Sequence, residues 1–286
     1  LFRVSDYLED NTLLPRGEKA ALLHSWERVL AGTVPYRELE GAMSPLPWDD
    51  SEAEVAHRFH QILDNLERME PEIGNAIRRR ARETTRGMEI WQRKGPRVRT
   101  EGELDEYMHY VAGLVGLMIT EVFSTISISV RSRRRTLLPL AREYGLGLQT
   151  VNIIRGVRKD RERGWVFVPE EFCRQAGIAP EELFSRTHTS ASLEVVDRLA
   201  DKAERHLREG LRYVETLPRS LYRVRVATMW PLMFAARTLS VVRDNPDVLH
   251  GEAKMSRRDV YRIIRHTVVL GWSNHWVRRY FDRLLR

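Results

Sequence analysis

Cysteine is almost absent from this 286-residue sequence, which contains only Cys173. One cysteine excludes a disulfide framework and a thiolate metal site within the chain. The first residues show no secretory signal, although the sequence begins at Leu1, within a helical pattern and without a methionine. We therefore expect a cytoplasmic protein.

Proline and glycine are also scarce, with 12 and 17 residues, which excludes a fibrous or disordered chain. Alternating strand patterns are rare, and the best candidate is "WVFVP" at 165–169. No long apolar run is free of charge. The most apolar stretch, 107–130, contains His109 and Glu121, so we interpret it as a buried core helix and the segment after it. At most a peripheral membrane contact is expected.

Lysine is rare among the 47 basic residues, with five lysines and therefore 42 arginines. A GC-rich genome and an arginine-lined site for phosphate or carboxylate both explain this bias. The net charge of +7 raises the question of nucleic acid, but 40 acidic residues are interspersed and no nucleic-acid-binding motif is present. We predict no nucleic-acid partner and interpret "RSRRR" at 131–135 as a solvated loop.

Helical periodicity dominates what is present. "EKAALLHSWERVLAG" and "SASLEVVDRLADKAERHLREGLRYVETLP" repeat apolar residues at spacings of three and four. No linker or internal repeat divides the chain, and 42% of its residues are hydrophobic. The sequence predicts an all-α fold, a single domain over 1–286, with ligand chemistry inside a helical bundle.

The segment "SDYLED" places Asp6, Glu9 and Asp10 on one face of a helix. Carboxylates at this spacing repel one another, and Mg²⁺ relieves such repulsion while binding substrate phosphates. An acidic helix start, favoured by the helix dipole, explains the same pattern equally well.

In "LGLQTVNIIRGVRKD", the residues Gln149, Asn152, Gly156 and Asp160 form one stripe of a helix, and Arg155 lies beside it. Polar groups on an apolar face need buried partners. Such a stripe forms either a ligand site or a polar seam against another helix.

In "EYMHYVAGLVGLM", small residues make one side of a helix thin. Tyr107 and Tyr110 lie three residues apart, and Gly113 and Gly116 follow. The thin side admits a neighbouring helix or a long apolar ligand, and helix packing is the more common case.

These segments together resemble the squalene and phytoene synthase family. "FRVSDYLED", "EYMHYVAGLVG" and "LQTVNIIR", with "VFVP" after it, occur in the family's order, and the second differs from the family pattern only at Met108. The resemblance implies an isoprenoid synthase fold with a central cavity. It also implies an allylic prenyl diphosphate donor and Mg²⁺ ions on two acidic helices that face each other.

The resemblance also implies roles for individual residues. Tyr107 matches a tyrosine proposed to transfer protons or steer the cation, with Asp6 and Asp10 the other catalytic candidates. The implied metal ligands are Asp6, Glu9, Asp10, Asn152 and Asp160. The implied substrate-binding residues are Tyr110, Gly113, Gln149, Asn152, Arg155, Arg158 and Lys159.

The second acidic motif departs from the family. Gly156 and Lys159 stand where the family pattern D-x-x-E-D has carboxylates, and Arg158 adds a positive charge. We therefore expect Arg155, Arg158 and Lys159 to meet diphosphate directly. The family's N-terminal diphosphate-binding segment would precede Leu1.

The first hypothesis is a Mg²⁺-dependent prenyltransferase that acts on a small aromatic acceptor of the carbazole or indole type. It resembles the squalene-synthase-like aromatic prenyltransferases of bacteria, with the acceptor near Tyr107, Tyr110 and Gly113. The alternative is head-to-head condensation with a second prenyl diphosphate. A third hypothesis is a non-catalytic binding subunit. The sequence leaves the chain length of the donor and the oligomeric state open.

Overall fold

The computed structural model describes residues 1–286 except Asp49 and Glu252. Within this part of the chain the fold is all-α, as predicted, and contains no named strand. The helices are α1 (Phe2–Asp10), α2 (Arg16–Leu30), α3 (Tyr36–Met43), α4 (Ser51–His57), α5 (Phe59–Glu67), α6 (Pro71–Lys94), α7 (Glu101–Met108), α8 (Leu114–Ile126), α9 (Ile128–Arg131), α10 (Arg134–Glu162), α11 (Glu170–Gln175), α12 (Thr189–Thr216), α13 (Tyr222–Val242), α14 (Asp247–His250), α15 (Arg257–Leu270) and α16 (Asn274–Leu284). A π-helical turn, His109–Gly113, joins α7 to α8, and 3₁₀ turns form at Pro180–Glu182 and Arg186–His188.

The continuous segment Glu101–Ile126 is the one described helix that is long and apolar enough to cross a membrane by length and composition. The sequence predicted a buried core helix here, but only 28% of its most apolar window is buried. The difference arises because α8 lines an apolar cleft with Val115, Ile119 and Phe123.

Helix α10 is the central element, and glycines bring its neighbours close. A Cβ atom on Gly116 would lie 2.2 Å from the carbonyl oxygen of Ala141, and one on Gly145 would lie 2.5 Å from that of Ala112. Such distances exclude any side chain at these two positions. The thin side of "YVAGLVG" is therefore used to pack α8 against α10.

Two hydrophobic cores flank the region between α1 and α10. The first joins α1 to α6 and contains Trp26 and Phe59, whose ring centroids are 5.3 Å apart at an interplanar angle of 69°. The second and larger core surrounds α10, α12 and α13. Val111, of the π-helical turn, packs against both cores.

The strand predicted at 165–169 does not form as a named element. Val166 makes an isolated parallel bridge with Arg97, and the amide of Glu170 donates to the carbonyl of Val98 at 2.9 Å. Because the pairing is this short, the segment "WVFVP" is an extended connection that follows α10 rather than part of a sheet.

Candidate active site

Helix α1 is fixed by polar contacts on its buried side. The hydroxyl of Ser5 lies 2.7 Å from the hydroxyl of Thr85 on α6, and the indole of Trp26 donates to Ser5 at 3.2 Å. The carboxylates of α1 line a cleft of about 490 Å³ on the other side. All three predicted residues, Asp6, Glu9 and Asp10, belong to this lining.

The predicted stripe of α10 lines the same cleft. All four residues of the stripe, Gln149, Asn152, Gly156 and Asp160, are in the lining, together with the predicted cations Arg155, Arg158 and Lys159. Arg158 also forms an ion pair with Glu162 at 2.8 Å, so its guanidinium is shared with the helix surface. The structure thus brings the two predicted motifs together across one opening.

Arg163 joins the two helices directly. Its Nη1 atom lies 2.7 Å from Asp10 Oδ1, and its Nη2 atom lies 2.6 Å from Asp160 Oδ1. Sequence analysis missed this residue. The spacing from Asp160 to Arg163 indicates only a local pair, and nothing in the sequence indicates that Asp10 faces it.

Burial and mutual repulsion raise the pKa values of two α1 carboxylates, Glu9 and Asp6. Burial, with added repulsion from Asp10 and Asp6, raises the pKa of Glu9 to about 8. Burial, opposed by Arg3 and reinforced by Asp10, raises the pKa of Asp6 to about 6. Lys19 contacts the main-chain oxygen of Glu9 at 3.0 Å rather than its carboxylate. At neutral pH Glu9 is therefore mostly protonated and Asp6 mostly ionised, and a bound cation would displace the proton of Glu9.

Tyr107 is buried at the base of the cleft in a group of aromatic rings. Its ring stacks on Phe167 at 4.4 Å and an interplanar angle of 15°, and Phe167 stacks on Trp165 at 5.3 Å. Burial, together with the charges of Glu9 and Asp10, raises the pKa of Tyr107 well above its ordinary value. The residue is therefore a neutral hydroxyl at physiological pH, close to the acidic cluster.

The cleft carries a small positive formal charge. With every group counted as ionised, five cationic side chains and four carboxylates give a formal charge of +1. The cations are Arg155, Arg158, Lys159, Arg163 and Lys254, and the carboxylates are Asp6, Glu9, Asp10 and Asp160. With carboxylates at 156 and 159 the formal charge would be −2. Since one unit charge at 4 Å is worth roughly 1–4 kcal/mol, this difference of three charges weakens metal binding on α10 and favours a bound anion.

Two of the predicted substrate-binding residues, Tyr110 and Gly113, are not part of the lining of this cleft. Gly87 of α6 lies against the ring of Tyr110, since a Cβ on Gly87 would be 2.1 Å from Tyr110 Cγ. A Cβ on Gly113 would be 3.0 Å from His109 Nδ1 and 3.1 Å from a methyl group of Leu146. Tyr110 and Gly113 therefore lie in contacts between helices. Neither residue lines the diphosphate cleft or the apolar cleft described below.

A second, apolar cleft of about 420 Å³ continues from the first. Its walls come from α8, α10 and α13, and Val111, Gln149 and Asn152 line both clefts. Tyr144 is tied at the apolar end by a hydrogen bond from its hydroxyl to the carbonyl of Thr228 at 2.6 Å. The two clefts together provide a polar head site joined to an apolar channel, which suits an amphiphile with an anionic head.

The carboxylates of α1 and those of α10 differ in how well they suit a Mg²⁺ ion. Among the described residues, no three carboxylate, histidine or cysteine side chains lie close enough to hold an ion by themselves. Mg²⁺ needs only one or two carboxylates when substrate phosphates and water complete its shell. The carboxylates of α1 meet this requirement. Helix α10 fits less well, because its single carboxylate in the cleft lining, Asp160, shares that lining with the α10 cations Arg155, Arg158 and Lys159. Arg163 pairs with both Asp160 and Asp10, so α1 keeps two carboxylates, Asp6 and Glu9, outside this bridge.

The comparisons with known proteins agree with this architecture. The family model described as squalene/phytoene synthase matches residues 1–259. Squalene synthase 1 of Arabidopsis thaliana is 27% identical over 285 residues, covering 93% of this chain and 62% of its own length. Squalene synthase of Schizosaccharomyces pombe is 24% identical over 276 residues, covering 94% and 58%. The chain thus spans about three fifths of these relatives.

Solved structures share the fold. The complex of TcSQS with the ligand BPH1237 superimposes with a TM-score of 0.79 at 24% identity, over 99% of this chain and 80% of that one. A dehydrosqualene synthase complex gives a TM-score of 0.57 at 20% identity, over 98% and 92%. The family match over most of the chain, joined to the cleft between α1 and α10, shows that this protein belongs to the squalene/phytoene synthase family.

Proposed function

We propose that the protein condenses two allylic prenyl diphosphates head to head. One observation carries the proposal: carboxylates on α1 and cations on α10 face each other across a single cleft that opens into an apolar one. This arrangement provides two different head sites and one shared space for hydrocarbon. Relatives named squalene synthase, which match over nine tenths of the chain, support it.

The two head sites bind diphosphate in different ways. Asp6 and Asp10 would hold Mg²⁺ with the donor diphosphate, with Glu9 beside them, and the bound metal would supply charge neutralisation for the leaving group. The cations Arg155, Arg158 and Lys159 would bind the second diphosphate directly, since guanidinium groups match phosphate oxygens in pairs.

Condensation of the two molecules begins at C1 of the donor. The C1–O bond of the donor breaks, and its electron pair leaves with the diphosphate. The π electrons of a double bond in the second molecule form the new carbon–carbon bond, and a proton is lost. The stacked rings of Tyr107 and Phe167 offer π electrons to the allylic cation and keep water away. The hydroxyl oxygen of Tyr107 can accept the proton lost from carbon while its own proton passes to an ionised carboxylate nearby.

Transfer to an aromatic acceptor is the second candidate. It was the first hypothesis from sequence, and the relatives favour condensation over it. Its support is the loss of carboxylates at Gly156 and Lys159, because an acceptor without diphosphate needs no metal on α10. In that case the α10 cations would contact only the donor diphosphate.

Product analysis separates the two candidates. The protein is incubated with Mg²⁺ and farnesyl or geranylgeranyl diphosphate alone, with and without NADPH, and then with added carbazole or indole. Condensation gives a product with twice the carbons of the donor and needs no acceptor. A product that forms only with the aromatic compound would contradict condensation and support transfer.

A variant test addresses the third hypothesis, a non-catalytic subunit. Asp6→Ala removes a carboxylate from the cleft, whereas Asp64→Ala removes an exposed one from α5. We expect turnover to be lost in the first variant and kept in the second. A wild-type protein without turnover on any prenyl diphosphate, with or without an acceptor, would leave the binding role as the better explanation.

A further inference from the structure

Large apolar side chains are exposed at one end of the bundle. At the junction of α8 and α9, Ile126 and Ile128 are 61% and 84% exposed. At the end of α15, Val269 and Trp272 are 63% and 58% exposed. Leaving such side chains in water forfeits the free energy of their burial, so their presence in two neighbouring groups indicates a partner surface.

Contacts show that the two groups lie at the same end. The connection between α12 and α13, residues 217–221, lies between them. On one side, Arg133 donates to the carbonyl of Thr216 at 3.1 Å. On the other side, the hydroxyl of Tyr222 donates to the carbonyl of Val268 at 2.6 Å. The ends of α8, α12 and α15 and the starts of α10, α13 and α16 therefore meet here.

Arginines surround these apolar groups. Apart from Arg134, which is paired with Glu121 at 3.2 Å, five exposed arginines lie at this end: Arg131, Arg133, Arg135, Arg219 and Arg223. Two acidic groups lie beside these arginines: Glu215 is paired with Arg278 at 2.9 Å, and Glu72 lies 3.8 Å from Arg131. We name the two apolar groups and the five arginines the basal patch. It carries cations around apolar side chains, and this combination matches an anionic lipid surface.

The basal patch is remote from the diphosphate cleft and close to the apolar one. Arg134, at the start of α10, and Asp160, near its end, are 26 residues apart, so the patch and the acidic cluster are separated by roughly 40 Å along the helix axis. Ile126 lies on the same helix as Ile119 and Phe123, which line the apolar cleft. A surface that binds here would face the hydrocarbon end of the site.

The geometry points to the basal patch as a docking surface for an anionic phospholipid bilayer. Ile126, Ile128 and Trp272 enter the interface between headgroups and acyl chains, and the arginines bind lipid phosphates and carboxylates. The protein would lie on the membrane and not span it, with the apolar cleft directed towards the lipid. This property does not depend on which prenyl product is formed.

Vesicle flotation tests the proposal without any substrate. The protein is mixed with vesicles of phosphatidylcholine alone or with 30% phosphatidylserine, at low and high salt. We expect binding to the anionic vesicles only, and weaker binding at high salt. With about a fivefold contribution per arginine, Arg133→Gln/Arg135→Gln should weaken binding about 25-fold. Ile126→Ser/Ile128→Ser should reduce it at unchanged net charge.

Matched controls exclude a general charge effect. Arg174→Gln/Arg186→Gln removes two exposed arginines elsewhere on the chain and should leave flotation unchanged. Leu13→Ser, which alters an apolar side chain that is 68% exposed, should do the same. Equal flotation of all variants, or none by the wild type, would overturn the proposal. A dimer that dissociates on Ile126→Ser/Ile128→Ser would also overturn it, because a second copy would then cover the patch.

Discussion

Replacing Arg163 by Gln tests whether an internal cation holds the two halves of the cleft together. In the structure this guanidinium contacts Asp10 of α1 at 2.7 Å and Asp160 of α10 at 2.6 Å. Gln cannot form either ion pair, although it retains a hydrogen-bonding group. The two carboxylates would then face each other without their common counter-ion.

The loss of stability expected for Arg163→Gln follows from how far the paired side chains are exposed to solvent. The side chains of Arg163 and Asp10 are 37% and 58% exposed, so their pair is screened and contributes about 0.5 kcal/mol. Asp160 is only 12% exposed, and removing its partner leaves a mostly buried carboxylate. After a discount for the exposure of Arg163, this loss costs about 1–2 kcal/mol. For a chain of this size, the sum corresponds to about 3–6 °C in melting temperature.

Thermal unfolding with a matched control measures this effect. Arg158→Gln removes the same charge from the same helix, but its pair with Glu162 is exposed by 39% and 60%. We expect Arg158→Gln to lower the melting temperature by less than about 2 °C. Added Mg²⁺ should stabilise Arg163→Gln more than the wild type, because in the variant it no longer competes with the guanidinium for Asp10. Equal destabilisation by both variants would refute the bridging role.

Three further predictions concern the protonation of Glu9, the hydroxyl of Tyr107 and the helix contact at Gly116. The pKa of Glu9 is raised from 4.5 to about 8 on folding, so the protonated side chain stabilises the folded state. This contribution to the free energy of unfolding falls as the pH rises from 4.5 to 8. The metal-free protein should lose about 2–3 kcal/mol between pH 6 and 8.5, measured by denaturant unfolding; an equal loss in Glu9→Gln would contradict this assignment. Tyr107→Phe keeps the stacked ring and should lower kcat about 100-fold with an unchanged melting temperature, so normal turnover would exclude the hydroxyl. Gly116→Ala should destabilise the fold by about 2–3 kcal/mol, because its Cβ would lie 2.2 Å from the carbonyl oxygen of Ala141. The control Gly102→Ala, whose Cβ would have its nearest atom at 3.8 Å, should be neutral or stabilising when both variants are compared by thermal unfolding.

Much of the site could be predicted because helical spacing fixes which residues share a face. The period of 3.6 residues places Asp6, Glu9 and Asp10 together, and the same period places Asn152, Gly156 and Asp160 together. Both stripes line the cleft in the structure. The all-α fold could be predicted in the same way, from the apolar faces of long segments such as α12.

Other features depend on contacts that spacing does not encode. Arg163 contacts Asp10 across 153 positions of sequence, and Phe167 reaches Tyr107 from an extended connection. The small residues of "YVAGLVG" were compatible with a ligand or with a helix, and α10 takes that space. Gly113 also packs against α10, whereas Tyr110 packs against Gly87 of α6. Which side of a helix meets a ligand is decided by tertiary packing.

The central claim is that α1 carries metal and α10 carries cations in the same cleft. Counting Mn²⁺ ions bound in the presence of an unreactive prenyl thiodiphosphate tests it most directly, with Asp6→Asn/Asp10→Asn and Asp160→Asn as variants. The account predicts that the α1 variant loses the metal, that Asp160→Asn keeps it, and that Gly156→Asp/Lys159→Glu binds more metal than the wild type. Metal that stays bound in the α1 variant and is lost in Asp160→Asn would contradict it.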